Sequence, residues 1–269
     1  MKEKLLIGLP ELASQHGEMV DHMMLVVTYF MAVLFIFWSC FLGYVLYRFH
    51  HRRSPKGNYH GIRSHWSSHI EIGVVIVEAI LLLGFAFPLW ALRTSDFPVG
   101  NDVVRLRAVG EQFAWHFHYP GQDGVFGRVD KFLISPQNVL GLDPDDPNAA
   151  DDVISKFDMS IPVRRDIVVS VTSKDVIHSL AIHSMRIQQD AIPGIDAHIW
   201  FNATKTGEWD IICSQLCGVG HSSMAAMLNV RTDEEFDEWL RNQPTFMLKQ
   251  EAAPDPEPAQ PPVAVADAE

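Results

Sequence analysis

The residues best suited to chemistry lie together in one short stretch, CSQLCGVGHSSM, which covers residues 213–224. Four side chains of the metal-ligand type recur there at steps of four, four and three residues: Cys213, Cys217, His221 and Met224. This spacing also places residues on one face of a helix, so a buried helical stripe is the first alternative. Two glycines within the stretch each weaken a helix interior by about 1 kcal/mol, and the strand-like runs EWDII and MLNVR flank it. The pattern therefore favours a loop between two strands.

The kinds of donor atom in this loop indicate which metal it could bind. A disulfide between the two cysteines could form in an oxidising compartment, but it would leave His221, Met224 and the upstream His178 of DVIHS without a role. Two cysteines and two histidines are also a common zinc set. Zinc gains nothing from a thioether, whereas thiolate, imidazole and a weak axial methionine are the donors of copper electron-transfer sites. Because a single blue copper uses one cysteine with two histidines, two cysteines sharing two histidines suggest two coppers.

Two long apolar runs precede these residues and determine on which side of a membrane they lie. Residues 23–47 contain no charged side chain, and residues 72–92 contain only Glu78. Since about 20 apolar residues suffice to cross a bilayer, residues 23–92 are predicted to form a transmembrane hairpin. The connecting loop, residues 48–71, is rich in Arg and Lys and has no acid before Glu71, which places it in the cytoplasm. Residues 1–22 and everything after the hairpin are then expected on the outer side.

The remaining chain has the pattern of one all-β domain, residues 100–243, followed by a tail. Seven short runs rich in β-branched and aromatic residues predict the strands of a sandwich or barrel: VVRLRAVG, EQFAWHFHY, RDIVVSVTS, VIHSLAIHS, AHIWFNA, EWDIICS and MLNVRT. Residues 232–243 begin with a capping threonine and early acids and predict a terminal helix. Residues 244–269 are rich in Pro and Ala and predict a disordered tail. The net charge of −12 argues against a nucleic-acid partner.

The motifs DVIHS, QDAIPG and CSQLCGVGHSSM, in this order behind a two-helix hairpin, resemble cytochrome c oxidase subunit II over about residues 20–243. The resemblance implies an α+β membrane protein in which the hairpin is followed by a cupredoxin-like Greek-key barrel holding the binuclear copper centre CuA. In that family both thiolates bridge both coppers, so Cys213 and Cys217 would each contact both metals. The resemblance further implies that His178 and Met224 complete one copper, and that His221 and the backbone carbonyl of Gln215 complete the other.

The function implied by the resemblance is electron transfer at a bacterial plasma membrane, with the soluble domain on the periplasmic side. The chain would accept electrons from a c-type cytochrome, or a cytochrome-containing complex, and pass them to a haem of the catalytic haem-copper subunit. Oxygen would be reduced to water there, with proton translocation, alongside other oxidase subunits and membrane lipid. This chain has no CxxCH motif for a haem of its own. Two alternatives remain: the copper subunit of a nitric oxide reductase, and a membrane-anchored copper chaperone of the thioredoxin type.

Four features depart from the family pattern or extend it. Gln215 stands where the family has a magnesium-binding glutamate, and a neutral amide is a poorer partner for a hard cation, so no magnesium site is carried over. Phe113 replaces the first tryptophan of the electron-accepting motif, while Trp115 remains. Glu71 matches the family glutamate at a proton-path entrance, and Glu78 lies two turns further on the same helical face. Acidic residues within 143–152 and 233–238 suit a basic protein partner.

Overall fold

The computed structural model describes residues 8–54, 56–57, 65–94, 97–100 and 102–251 of the 269-residue chain. Two apolar helices lead into a β domain built from two sheets. The predictions for residues 1–7, for residue 55 and residues 58–64 of the basic loop, and for the tail after residue 251 concern residues outside these ranges.

The two apolar runs form helices, as their composition predicts. Helix α1 spans Gly17–Arg48. Helix α2 spans Trp66–Leu81 and continues through a π-helical segment, Leu82–Ala86, into α3, Phe87–Thr94. The first helix and the stretch Trp66–Ala91 are each long and apolar enough to cross a membrane. The first helix begins six residues before the predicted span, so part of the predicted outer segment, residues 1–22, is helical.

The β domain contains ten strands within the described part of the chain. They are β1 (Val104–Glu111), β2 (Ala114–Tyr119), β3 (Val153–Lys156), β4 (Asp158–Pro162), β5 (Asp166–Ser173), β6 (His178–Ile182), β7 (Ile187–Ala191), β8 (Ala197–Asn202), β9 (Gly207–Cys213) and β10 (Ala225–Arg231). One sheet has the order β3-β2-β1-β5-β8 and the other β4-β10-β9-β6-β7. The pairs β1–β5 and β4–β10 are parallel, and the other pairs are antiparallel. This two-sheet arrangement agrees with the predicted cupredoxin-like class.

The core lies between the two sheets, where alternate residues of each strand point inward. On β2 the inward residues Trp115, Phe117 and Tyr119 are almost fully buried, and each large apolar side chain buried in this way contributes about 1.5–3 kcal/mol. His116 and His118 occupy the opposite face of β2 and are buried too. A loop containing Phe126, whose ring packs against His118, passes over that face.

The structure differs from the sequence prediction in three additional strands and in the start of the C-terminal tail. Strands β3, β4 and β7 lie outside the seven predicted runs, because they are short and β7, IQQDA, has polar residues at its centre. The predicted helix is present as α4, Asp233–Asn242, with Thr232 and Glu235 forming a capping box. The tail predicted from residue 244 begins too early, because Thr245 pairs with β3, α5 spans Phe246–Glu251, and Phe246 is only 2% exposed.

The segment before α1 is attached to the β domain. Ala13 is fully buried and Ser14 pairs with Ala203 at the end of β8. Arg186, in the turn between β6 and β7, donates two hydrogen bonds to the carboxylate of Asp21 in α1, at 2.7 and 3.1 Å. Bidentate ion pairs of this kind fix orientation as well as distance. The membrane helix and the β domain are therefore held in a defined relation.

Candidate metal centre

The predicted ligand loop connects β9 and β10 and is not a helix, apart from a short 3-10 turn at His221–Ser223. Its two ends are joined by a hydrogen bond from the Cys213 amide to the Met224 carbonyl, at 3.1 Å. Gly218 has a φ of +137°, a conformation that side chains rarely adopt. The glycine and the strand pairing at the base of the loop together fold the donors back towards one another.

The structure brings together the donors predicted from the sequence. The distances to the Cys213 sulfur are 3.8 Å from the Cys217 sulfur, 3.9 Å from His178 Nδ1 and 3.2 Å from the Gln215 carbonyl oxygen. The Cys217 sulfur lies 3.6 Å from His221 Nδ1 and 3.7 Å from the Met224 sulfur. A sulfur–sulfur distance of 3.8 Å is far longer than the roughly 2.05 Å of a disulfide, so both thiols are free.

The donor cluster is largely shielded from water. Cys213, Cys217, His178 and Met224 are all less than 7% exposed, while His221 is half-buried and the Gln215 side chain is exposed. Burial, together with the neighbouring Cys213 thiol, raises the pKa of the Cys217 thiol to about 11. Without a bound cation this thiol is therefore protonated at neutral pH, and a soft metal ion would stabilise its thiolate. Two thiols, two imidazoles and a thioether fit copper better than a hard cation.

His178 is held by neighbours from the other sheet. Its ring lies against Gly110 of β1 so closely that a β-carbon added there would be 2.8 Å from His178 Cδ2. The Trp115 ring packs edge-on at a centroid distance of 6.0 Å. His178 Nε2 contacts the carboxylate of Asp175 at 2.9 Å. Sequence reasoning identified His178 and Trp115 but missed Gly110 and Asp175, although Asp175 lies within the DVIHS motif.

The two aromatic residues predicted for electron uptake occupy different places. Phe113 is 36% exposed and its ring covers the ligand loop, where a β-carbon on Gly220 would be 2.5 Å from the ring. Trp115 is fully buried behind His178. Gln112, next to Phe113, donates a side-chain hydrogen bond to the Cys217 carbonyl at 2.5 Å. The turn between β1 and β2 is thus attached to the ligand loop through both residues.

The two carboxylates of the second membrane helix lie apart from the donor cluster. Glu71 and Glu78 are both on α2, seven residues apart. Glu78 lines a groove of about 290 Å³ between the two helices, whose other walls are apolar, among them Phe30 and Phe85. The π-helical segment begins four residues after Glu78. These two glutamates therefore belong to a separate region of the molecule.

The acidic stretches are not arranged around the donor cluster. Met224 precedes the first residue of β10, whereas helix α4 follows its last residue. The length of the strand, about 20 Å, therefore separates the acidic helix from Met224. In the acidic loop, the Asp152 carboxylate contacts the buried His118 ring at 2.7 Å, and Asp143 accepts hydrogen bonds from Arg128. Several of these acids therefore serve the loop's own structure, which a count of charges in the sequence does not reveal.

Comparison with known proteins agrees with this geometry. The family described as cytochrome C oxidase subunit II, periplasmic domain, matches residues 104–231. The chain is 32% identical, over 208 residues, to the alternative cytochrome c oxidase subunit 2 of Bradyrhizobium diazoefficiens, covering 77% of this chain and 73% of that protein. It is 29% identical to cytochrome c oxidase subunit 2 of Cereibacter sphaeroides, covering 78% of this chain and 71% of that protein.

A solved structure is also similar: the periplasmic domain of subunit II of the cytochrome oxidase of Bradyrhizobium japonicum. It is 32% identical, covers 54% of this chain and 95% of that domain, and has a TM-score of 0.40. The proteins named above are subunits of an oxidoreductase complex. The two apolar helices and a domain of the family's periplasmic type describe a membrane protein with an outer-side soluble domain. The sequence relatives, the matching family and the donor cluster together show that the chain belongs to the cytochrome c oxidase subunit II family.

Proposed function

We propose that this chain is the electron-accepting subunit of a haem-copper oxidase in a bacterial plasma membrane, and that its donor cluster holds a binuclear copper centre. The residues that would hold the copper pair are Cys213, Cys217, His178, His221 and Met224, together with the backbone carbonyl of Gln215. The observation that carries the proposal is that each of these donor atoms lies 3.2–3.9 Å from a cysteine sulfur.

When bound, the copper pair would supply a one-electron carrier. The chain's own residues shield it and hold its ligands. Burial of the two thiols and the thioether excludes water, and the strand pairing beneath the loop limits how far the donors can move. Phe113 covers the loop at the surface and gives an electron donor an aromatic contact close to the ligands. Trp115 packs behind His178 and restricts the tilt of that ring.

The proposed donor is a c-type cytochrome, or a cytochrome-containing complex, on the outer side of the membrane. Electrons would pass to a haem of the catalytic subunit, where oxygen is reduced to water and protons are translocated. The exposed Gln215 side chain is free to face that subunit, and the apolar helices would contact lipid and the other oxidase subunits. The copper-chaperone alternative is disfavoured because the domain lacks, within its described residues, the alternating helices and strands of a thioredoxin fold.

Copper stoichiometry is the direct test of the proposal. The full chain, purified in detergent, loaded with copper while its thiols are kept reduced, and then oxidised by one electron with a chemical oxidant such as ferricyanide, should hold two coppers. Near-infrared absorption and electron paramagnetic resonance should show one unpaired electron shared by both nuclei. Cys217→Ser should abolish this signal, whereas Cys40→Ser, which removes the remaining cysteine in α1, should leave it intact. One copper per wild-type chain, or none, would refute the binuclear centre.

Glu71 and Glu78 are proposed to lie at the entrance of a proton path into the catalytic subunit. A carboxylate within the membrane is costly unless it has a function or a partner, and Glu78 faces the groove between the helices. Glu71→Ala and Glu78→Ala should each slow proton uptake by the assembled oxidase, and unchanged rates in both variants would remove this role. Comparing oxygen with nitric oxide as substrate of the same complex would distinguish the reductase alternative.

A further inference from the structure

A carboxylate outside the predicted ligand set is fixed against the metal centre. The Asp175 oxygens accept hydrogen bonds from His178 Nε2 at 2.9 Å, the Val176 amide at 2.6 Å and the Gln112 amide at 2.7 Å, and a longer one from the Ser173 hydroxyl at 3.4 Å. The Asp175 side chain is about one-third exposed, whereas the His178 side chain is fully buried. The carboxylate thus reaches the histidine from the surface of the domain.

These contacts determine which nitrogen of His178 carries the proton. An ionised carboxylate only accepts hydrogen bonds, so Nε2 carries a proton, and in the neutral imidazole that binds a metal Nδ1 then keeps its lone pair. Nδ1 is the nitrogen that faces the Cys213 sulfur at 3.9 Å. The bonds from the Gln112 and Val176 amides do not involve the metal site, so they hold the carboxylate in place before any metal arrives.

The two histidines of the cluster differ in this respect. His221 Nδ1 also faces a cysteine sulfur, at 3.6 Å, but within the described residues its ring has no carboxylate partner. His178 is therefore the only one of the two whose tautomer is set by a fixed anion. A hydrogen bond to an anion also makes an imidazole a stronger donor, and the loss of such an outer partner commonly lowers metal affinity about 10- to 100-fold.

We propose that Asp175 is a positioning residue of the copper centre: it holds the Nε2–H tautomer and the orientation of His178, so that Nδ1 is presented to the metal. This inference rests on the proposed binuclear copper site. Gln112 extends the same arrangement, since its backbone amide binds Asp175 and its side chain binds the Cys217 carbonyl. The β1–β2 turn, the ligand loop and the His178 segment are thereby linked through hydrogen bonds.

The experiment compares Asp175→Asn and Asp175→Ala with the wild-type chain and with Glu111→Gln. Glu111 is a suitable control because its side chain is 34% exposed, close to the 31% of Asp175. It is the last residue of β1, which pairs with β5, the strand that precedes Asp175. It pairs with Lys174 and His116 but does not contact a predicted ligand. The full-length chains are titrated with copper against a competing chelator. Paramagnetic resonance and reduction potential are measured on the loaded forms, and thermal unfolding on the metal-free forms.

We expect both Asp175 variants to bind copper about 10- to 100-fold more weakly. Asparagine should do less harm than alanine, because its amide oxygen can still accept from His178. The hyperfine pattern should become less symmetric, and the reduction potential should rise because an anion that favours the oxidised state is lost. Glu111→Gln should match the wild type. If alanine prevents folding, the asparagine variant decides the question.

Wild-type affinity and spectra in both Asp175 variants would overturn the positioning role while leaving the copper site intact. The same losses in Glu111→Gln would also overturn it, because they would show a general effect of charge. A wild-type chain that binds no copper pair would refute the proposed function itself, and this inference with it.

Discussion

The contact between His178 and Gly110 offers a steric test of the site that leaves every ligand unchanged. Gly110 pairs with Trp115 on one side and Ser173 on the other. A methyl group in the place of its hydrogen would lie 2.8, 3.0 and 3.2 Å from Cδ2, Cγ and Cβ of His178. Ordinary carbon–carbon contacts are about 3.5–4.0 Å. The change Gly110→Ala therefore requires the strand or the imidazole ring to move.

The imidazole has little room to retreat. Its Nε2 is held by Asp175, and Trp115 packs beside it. Adding one methyl group to a well-packed site of this kind costs about 1–3 kcal/mol. If the ring stays in place, this cost reduces the stability of the metal-free domain, and the melting temperature falls by about 2–4 °C per kcal/mol. If the ring rotates instead, the same free energy weakens copper binding, by about 5- to 150-fold.

The cost of the added methyl group is divided between folding stability and copper affinity, so both must be measured. Thermal unfolding of metal-free Gly110→Ala measures the loss of stability, and a titration with copper against a competing chelator measures the loss of copper affinity. Gly43→Ala is the control, since a β-carbon at that position in α1 meets no atom within 4 Å apart from its chain neighbours and the backbone of its own helix. A variant with both the melting temperature and the copper affinity of the wild type would refute the described packing of His178.

Three further predictions concern the surroundings of the centre. Gly220→Ala should displace the Phe113 ring and slow electron uptake from a cytochrome in stopped-flow experiments, while the copper spectrum stays unchanged. Arg186→Gln and Asp21→Asn should each destabilise the full chain by about 1–3 kcal/mol, and Arg186→Gln should cost more because Arg186 also donates to the Pro10 and His183 carbonyls. The double variant should lose no more than Arg186→Gln alone, because both changes remove the same ion pair. Burial lowers the pKa of His118, so protonation opposes folding. The contribution of His118 to stability should therefore be constant above about pH 6.5 and fall below it, by at most about 1.4 kcal/mol per pH unit. His118→Gln should remove this part of the pH dependence in thermal melts and leave the part due to His116, whose pKa is also lowered by burial.

The ligands could be predicted from the sequence because few residue types bind soft metals and they lie close together along the chain. Cys213, Cys217, His221 and Met224 fall within twelve residues, and a loop that joins neighbouring antiparallel strands returns its ends to the same place. His178 is a weaker candidate on its own because it lies 35 residues before Cys213, and its assignment as a ligand depends on the resemblance to a family motif. Its position beside Cys213 depends on the pairing of β6 with β9, which no local pattern specifies.

The positions of Phe113 and Trp115 could not be predicted from the alternation of residues along a strand. Phe113 and Trp115 are two residues apart, so an uninterrupted strand would place both on the same face. The turn at Gln112 and Phe113 interrupts that alternation, and only Trp115 points into the core. Similarly, Gly110 has no distinctive sequence signal and Asp175 has only its place in the DVIHS motif, because their roles arise from contacts between segments that are distant in the sequence.

The two sheets contribute in different ways to the position of the donor cluster. His178, Cys213 and Met224 lie at or next to the ends of β6, β9 and β10, which are adjacent in one sheet. Backbone pairing therefore fixes three donors in relation to one another. The other sheet supplies Gly110 and Trp115, which press against the imidazole rather than bind the metal. Because the apolar core stabilises these strands, the fold itself positions three of the donors, and holding them in place would cost a bound metal little further ordering free energy.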